Sequence, residues 1–367
     1  MSTDRQLRVL RVLPTLGTGG TEKQCLEVVE ELQRLSASGE LAKGRAIQID
    51  LATVYAAPTA HQLPLPAGTA LHQLNQPRSI AGLWHAGLAL RPLMRQYDCI
   101  HAMLWPAVWA AALAGGGVPW LASIHGTAIK RGPLGAKLLA DRLFYARANR
   151  LLFNSEAGRG AVAPLLGRDP RQCDVIVNGK REYSGPWPAR SGVVCLARVQ
   201  PPKRHELLLD ALAVMDAATR PAVRFIGQQT QDEAFLALIA ARNLTGVLGI
   251  GEVDDPLPLL AAADVLALPS DSEGMPNAIL EAWSCGTVVL ASNVPGIREL
   301  MRDGVDGLLV ENTPLAWCAG LERLLAERTL REQLAAAGRE RLAREFSLSA
   351  VAQEWARLYA ELAASQR

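Results

Sequence analysis

Two glutamates eight positions apart, Glu273 and Glu281, stand in the stretch Pro269-Ser-Asp-Ser-Glu-Gly-Met-Pro-Asn-Ala-Ile-Leu-Glu-Ala-Trp-Ser-Cys-Gly286. Glu273 comes just after the apolar run 264–268, which reads as a buried parallel strand. Glu281 lies one to two turns into a helix that Pro276 can open, because proline is tolerated at a first helical position. One carboxylate is therefore on a loop at the carboxyl end of a strand, and the other rides the helix behind it. Backbone N–H groups between them suit an anion, and carboxylates accept hydrogen bonds from sugar hydroxyls. The chemistry expected here is retention of a hydroxyl-rich, phosphate-bearing ligand.

Three further sets of residues fall at predicted strand ends. Arg198 follows the run 193–197, and Lys203 stands where the next helix begins. Together they can clamp a diphosphate, arginine as a fork and lysine as a point charge; the plainer reading is a pair of solvated loop cations. Gly19 and Gly20 lie between the first strand and first helix, where glycines let backbone approach a ligand and Thr21 can cap the helix. The spacing is not G-x-G-x-x-G, and no Lys-Ser/Thr follows for a phosphate-binding loop, so a tight turn is an equal reading. His125 ends the run Trp120-Leu-Ala-Ser-Ile-His125 beside Gly126, while His61, His72, His85, His101 and His205 have no such setting.

The elements that must position these residues alternate short β-rich runs with longer amphipathic stretches, the pattern of parallel sheets flanked by helices. In the front half strands are predicted at 7–14, 48–55, 98–104, 119–125, 149–154 and 173–177, with helices at 21–35, 79–96, 134–148 and 156–166. In the back half strands are predicted at 193–197, 222–227, 246–250, 264–269 and 287–292, with helices at 203–216, 231–242, 256–263, 276–285 and 314–327. The breaker-rich segment 178–192 reads as a linker, and 328–366 as helix without a strand. Two doubly wound α/β domains result, 1–183 and 184–345, followed by a helix at 346–367. A ligand is expected outside the carboxyl ends of their strands, in the cleft between them.

The 367 residues are 49% apolar, enough for two ordinary domains, and the formal net charge is +2. Residues 1–183 carry 21 basic and 13 acidic side chains (+8), whereas 184–367 carry 17 and 23 (−6). A basic front half suits an anionic partner such as a membrane surface; an ordinary uneven surface is an equal reading. Between Lys130 and Arg150 six basic residues accompany one acid, with leucines at helical spacing. This stretch is compatible with an interfacial helix using Lys130, Arg131 and Lys137, or with a helix packed on its sheet. The six cysteines are scattered without metal-ligand spacing, which suits a reducing cytosol. No apolar signal core or spanning stretch is present, so a soluble or peripheral, cytoplasmic protein is expected, with association at the inner face of the membrane as a further reading. No D-x-D, G-x-S-x-G or H-E-x-x-H occurs, so nothing suggests a metal-held diphosphate or those hydrolase and zinc-protease signatures.

The constellation resembles the large glycosyltransferase family of GT-B fold often called family four, over nearly the whole chain. The matching segments are Gly-Gly-Thr-Glu at 19–22, Ile-His-Gly-Thr at 124–127, Val-Ile-Val-Asn-Gly at 175–179 and Ala-Arg-Val-Gln-Pro-Pro-Lys at 197–203. They continue with Ala-Asp-Val-Leu-Ala-Leu-Pro-Ser at 263–270, Glu-Gly-Met-Pro-Asn-Ala-Ile-Leu-Glu-Ala at 273–282 and Cys-Gly-Thr-Val-Val at 285–289. The resemblance implies two Rossmann-like domains facing across a cleft, the first on the acceptor side and the second binding a nucleotide-sugar, with the last helix crossing back to the first. It implies that Arg198 and Lys203 bind the donor diphosphate and that Glu281 bonds the ribose. Glu273, with Gly274, Met275, Pro276 and Asn277, would hold the transferred sugar. Gly19 and Gly20 would approach the diphosphate, His125 the sugar near its reacting carbon, and Val253 the base. Transfer would retain anomeric configuration by a front-face path without metal or other cofactor. Two departures, Ala197 for the familiar glycine and Pro201-Pro202 in the loop, remove no charged group.

The expected function is thus a retaining hexosyltransferase working from a UDP- or GDP-sugar onto a glycan or lipid-linked acceptor in glycoconjugate assembly, with no nucleic acid partner. A nucleotide-sugar 2-epimerase and a non-catalytic donor-binding subunit of the same fold are the alternatives.

Overall fold

A computed structural model describes residues 6–17, 19–41, 46–56, 63–126 and 135–365. Among them the chain divides into two compact units, Met1–Gly179 with Leu348–Arg367, and Lys180–Ser347.

The first unit runs β1 (Leu7–Leu13), α1 (Gly20–Ser38), β2 (Ile47–Tyr55), β3 (Leu71–Gln76), α2 (Ile80–Met94), β4 (Cys99–Met103), α3 (Leu104–Ala114), β5 (Trp120–Ile124), α4 (Ala136–Tyr145), β6 (Arg150–Phe153), α5 (Glu156–Val162) and β7 (Asp174–Val175). The strands form one parallel sheet ordered β3-β2-β1-β4-β5-β6-β7. Its central strands are near-continuous apolar runs because helices cover both faces. Leu83, Ala86 and Leu90 of α2 and the alanines of α3 build one core. Val28, Val29 and Leu32 of α1 build the other.

The second unit runs β8 (Val193–Leu196), α6 (His205–Val214), β9 (Val223–Ile226), α7 (Glu233–Ala241), β10 (Val247–Gly251), α8 (Leu257–Ala261), β11 (Val265–Leu268), α9 (Asn277–Ser284), β12 (Val288–Ser292), α10 (Pro295–Leu300), β13 (Leu308–Val310), α11 (Pro314–Ala326) and α12 (Arg328–Glu345). Its parallel sheet is ordered β10-β9-β8-β11-β12-β13. The last helix, α13 (Leu348–Ala364), belongs to the first unit, where Val351, Trp355 and Tyr359 join the core beneath α1.

Four elements depart from the periodicity reading. β3 is a polar edge strand, Leu-His-Gln-Leu-Asn-Gln, that gains its identity only by pairing with β2. α3 is apolar on every side and almost wholly buried, so it shows no helical stripe. α10 and β13 are six and three residues long, too short for a periodic signal. A smaller correction concerns Thr21, which does not cap α1. Gly19 is the N-cap, and the Glu22 carboxylate folds back to where a Gly19 side chain would lie, 2.4 Å from that hypothetical Cβ. Glu22 thus occupies the position of the glutamate in a capping box, and the glycine makes room for it.

Candidate active site

In the second sheet the strand order reverses between β8 and β11, so the loops leaving their carboxyl ends diverge and open a crevice. Lys203 closes the loop after β8 and Glu273 lies in the loop after β11; their side chains form an ion pair across that switch point. Lys203 also forms a backbone bridge to Ser270. Ser270 is held in turn: its N–H donates to Ser292 Oγ at 2.8 Å, and its carbonyl accepts from Asn312 Nδ2 at 3.0 Å. The loop bearing Glu273 is therefore pinned from both sides before any ligand arrives.

The same loop rests directly on α10. A Cβ added to Gly296 would sit 1.9 Å from the Glu273 carbonyl oxygen and 2.5 Å from that of Gly274. No side chain fits unless the loop moves. Gly296→Ala is expected to weaken binding of any ligand held by Glu273 with little effect on the first unit. Calorimetric titration of wild type and variant checks this, and equal affinities would refute it.

Gly274, Met275 and Pro276 are buried and lead into α9. Pro276 is the N-cap in extended conformation, not the first helical residue, and Asn277 opens the helix. The partial positive charge of that helix start faces the loop. Glu281, on the second turn, is 8% exposed and pairs with Lys180 at 3.4 Å. Lys180 was not among the expected residues: one place beyond the Val-Ile-Val-Asn-Gly segment, it reads as a solvated linker cation, yet it is itself 8% exposed. Arg198 is exposed just past β8, and Val253 is half-buried in the loop after β10. The two glutamates therefore each pair with a lysine. His205, without a predicted setting, is buried behind this edge, where Nε2 lies 3.1 Å from the Ala197 carbonyl.

The first unit places Gly19 and Gly20 exposed at the start of α1, and half-exposed His125 just beyond β5. Behind His125 lies a buried polar chain. His125 Nε2 is 3.2 Å from Ser123 Oγ, Ser123 Oγ is 2.8 Å from His101 Nε2, and His101 Nδ1 is 2.8 Å from the Tyr359 hydroxyl. Arg11 Nε donates to that hydroxyl at 2.8 Å. Arg11 and His101 are register partners on β1 and β4, which is why residues ninety positions apart share one face.

Burial, and secondarily the Arg11 guanidinium, push His125 down from 6.5 to about 4. Burial first, then Arg11 and His125, hold His101 well below its ordinary value. Both rings are neutral in the folded protein at a pH where free histidine is protonated. Below about 6.5 the unfolded chain then binds more protons, so stability is full above that pH and is lost as pH falls toward 4. The urea midpoint of the first unit is expected to be lower at pH 5 than at pH 7.5; an unchanged midpoint would contradict the neutral pair.

Of the residues expected on a basic helix, Lys137 is part-exposed; it pairs with buried Asp141 and lies over the Trp105 ring, 5.1 Å from its centroid. Lys130 and Arg131 lie outside the described residues. A cavity of about 880 Å³ opens at the amino-terminal ends of β11 and β12, lined by Arg190, Asp264, Arg331 and Arg339 among others. It lies at the opposite pole of the sheet from Lys203 and Glu273; Arg331 pairs there with Asp264 and Arg339 with Glu182, while Arg190 donates to the Cys285 and Gly286 carbonyls. Among the described residues no group of three or more His, Cys, Asp or Glu side chains is placed to hold a metal ion.

Two doubly wound units with charged and hydroxyl-bearing side chains at the carboxyl ends of their strands define the class as a doubly wound α/β protein. Residues 190–327 match the family described as glycosyl transferases group 1, and residues 19–179 match the glycosyl transferase 4-like domain. A D-inositol 3-phosphate glycosyltransferase of Frankia alni is 30% identical over 304 residues, 72% of this chain and 74% of that protein. A protein of the same name from Salinispora tropica is 29% identical over 315 residues, 74% of this chain; the match spans only 65% of the relative's length. The chain belongs to the group 1, family four glycosyltransferases. Its fold is that of the GT-B enzymes: the structure of HepE from Anabaena in complex with UDP and glucose superposes with a TM-score of 0.78, covering 97% of this chain and 100% of that one at 19% identity.

Proposed function

We propose that this protein is a retaining glycosyltransferase that moves a hexose from a nucleoside diphosphate sugar to a hydroxyl of a glycan or lipid-linked acceptor. The observation that carries the reading is the Lys203–Glu273 pair at the switch point of the second sheet, beside the start of α9. Arg198 and Lys203 bind the diphosphate and offset the charge that grows on it as the glycosidic bond breaks, stabilisation aimed at where charge develops. The α9 start adds its dipole. Glu281 bonds the ribose, Val253 lies beside the base, and Glu273 with Gly274 to Asn277 holds the sugar. Gly19, Gly20 and His125 serve the sugar and acceptor end. The leaving diphosphate takes the bond's electron pair. The acceptor oxygen then attacks the oxocarbenium-like carbon from the same face and gives its proton to that phosphate, so configuration is kept without a covalent intermediate or metal. Support for a uridine donor comes from the HepE complex, and for a polyol or sugar-like acceptor from the relatives' names. Six buried free cysteines favour work in a reducing compartment. A thermal-shift screen of nucleotide sugars tests the reading, since a ligand that binds only the folded form raises its stability. Stabilisation by one nucleotide sugar, followed by transfer with retained configuration, is expected. Inverted product, or isomerised donor without acceptor, would overturn it.

We infer also that the first unit touches an anionic membrane, but through a different surface from the one expected. Helices α2, α3 and α4 pack side by side. α2 exposes Ile80, Trp84 and Leu88 at one-turn spacing, and α4 exposes Leu139 and Leu143. Arg91, Arg95, Arg142 and Arg147 are exposed on or beside these helices, whose one carboxylate, Asp141, is buried. Apolar side chains framed by cations suit an interface with acidic lipid. Co-sedimentation with phosphatidylglycerol-containing vesicles is expected for the wild type and not for Trp84→Glu/Leu88→Glu, with turnover on a soluble acceptor unchanged. Equal binding to neutral and anionic vesicles would refute the electrostatic part.

A further inference from the structure

Arg11 is a charged side chain at 1% exposure, and among the described residues no carboxylate bonds it. Its neighbours are the Cys25 carbonyl at 3.2 Å, the Cys25 thiol, the Tyr359 hydroxyl and the faces of Trp355 and Tyr359. A buried guanidinium without an anion is costly, so a fold that keeps one invites a search for what it does.

It polarises the chain that ends at His125. A guanidinium only donates, so the Tyr359 oxygen accepts from Arg11 Nε. The hydroxyl has one proton, and Tyr359 is fully buried, with His101 Nδ1 as the one remaining polar group in reach of that oxygen. A buried proton without an acceptor is costly, so the hydroxyl donates to Nδ1. His101 is neutral and then carries its own proton on Nε2, which donates to Ser123 Oγ. Ser123, also fully buried, has accepted one bond and passes its proton toward His125 Nε2. Every link is now fixed in one direction. Neutral His125 has Nε2 occupied as an acceptor and must carry its proton on Nδ1. Trp355 stacks on His101 with centroids 4.8 Å apart and an interplanar angle of 26°, which holds the ring in the plane the chain needs.

We propose that Arg11 and Tyr359 are positioning residues that lock His125 as an Nδ1–H tautomer, so that it serves the sugar as a hydrogen-bond donor and does not act as a general base. This rests on the reading above only in naming the sugar as the group met; the tautomer itself is a property of the unliganded protein. The last helix thereby contributes to the site through Tyr359, with four groups acting in line.

Two-bond proton–nitrogen correlation spectra of nitrogen-15-histidine-labelled full-length protein, assigned with His125→Gln, read the tautomer directly. The wild type is expected to show a protonated Nδ1 and bare Nε2 at His125. Tyr359→Phe removes the hydroxyl that sets the direction, and Ser123→Ala removes the last link. Either is expected to leave His125 in tautomeric exchange and to lower kcat about tenfold with donor KM unchanged. Rescue is expected for Ser123→Thr, which keeps the hydroxyl. An Nε2–H tautomer in the wild type would overturn the proposal even if no variant folds, and so would an unaltered Nδ1–H signal in both variants. An Nδ1–H tautomer combined with full turnover in His125→Gln would leave the chain standing and instead remove His125 from the sugar site.

Discussion

Lys203→Ala is expected to lower kcat/KM for sugar transfer by about a hundred- to a thousandfold, the usual consequence of removing one preorganised group facing developing charge. The lysine sits at the carboxyl edge of β8, its ammonium already oriented by Glu273. If Lys203 acts as proposed, the effect appears mainly in kcat, because charge on a departing nucleotide grows toward the transition state and is smaller in bound donor. Glu273→Gln should cost a comparable factor, since the amide neither holds Lys203 by charge nor accepts sugar hydroxyls as strongly. The double variant should lose far less than the product of the two factors, because the pair acts as one unit. Single-turnover kinetics with circular dichroism as a folding control make the measurement. Wild-type turnover in folded Lys203→Ala would remove the pair from the mechanism.

Asp306→Ala is expected to destabilise the second unit by about 2–3 kcal/mol, because it leaves the Arg302 N–H without its acceptor and the buried Arg341 guanidinium with only the part-exposed Glu345 carboxylate at 2.9 Å. Asp306 is 1% exposed; its carboxylate accepts from Arg341 Nη1 at 2.8 Å and from the Arg302 N–H at 2.7 Å. Its carbonyl accepts from Trp283 Nε1 at 3.0 Å, and the Arg341 guanidinium lies over the Trp283 and Phe346 rings. Trp283 is two residues past Glu281 on α9, so this network clamps the helix that carries Glu281 onto α12. The variant should lose donor affinity as well as stability. Urea unfolding followed by tryptophan fluorescence reads the first effect, and calorimetric titration the second. Asp306→Ala/Arg341→Met should recover part of the stability, because the half-compensated buried charge is removed while Glu345 keeps Arg344 as its partner. A midpoint within experimental error of wild type would show that the pair does not hold α9.

Much of this architecture was legible before the structure. β1, β2, β4, β5 and most of the second sheet are continuous Val-, Leu- and Ile-rich runs, and their breakers mark strand ends, so residues such as Arg198, Glu273 and His125 could be placed at carboxyl edges from local pattern alone. What local pattern missed has a common physical origin. β3 is polar because it is an edge, and α3 lacks a stripe because it is buried all round. Both are decided by neighbours distant in sequence. Lys137 reads as a solvated cation because a lysine on an amphipathic helix normally is; the Trp105 and Trp109 rings and buried Asp141 give it fixed partners at the surface.

The sequence by itself determined which chemical groups stand at which strand ends: two carboxylates around one helix start, two cations after β8, one histidine after β5. Alternation and turn residues act over a few positions, and that range suffices to set them. The tertiary structure alone decided how those groups are charged, paired and oriented. Glu281 meets Lys180 across 101 positions, and His125 takes its direction from Arg11 and Tyr359, residues that are themselves 348 apart. Ion pairs and hydrogen-bond directions depend on distances of a few ångströms between side chains whose separation along the chain carries no information about their separation in space.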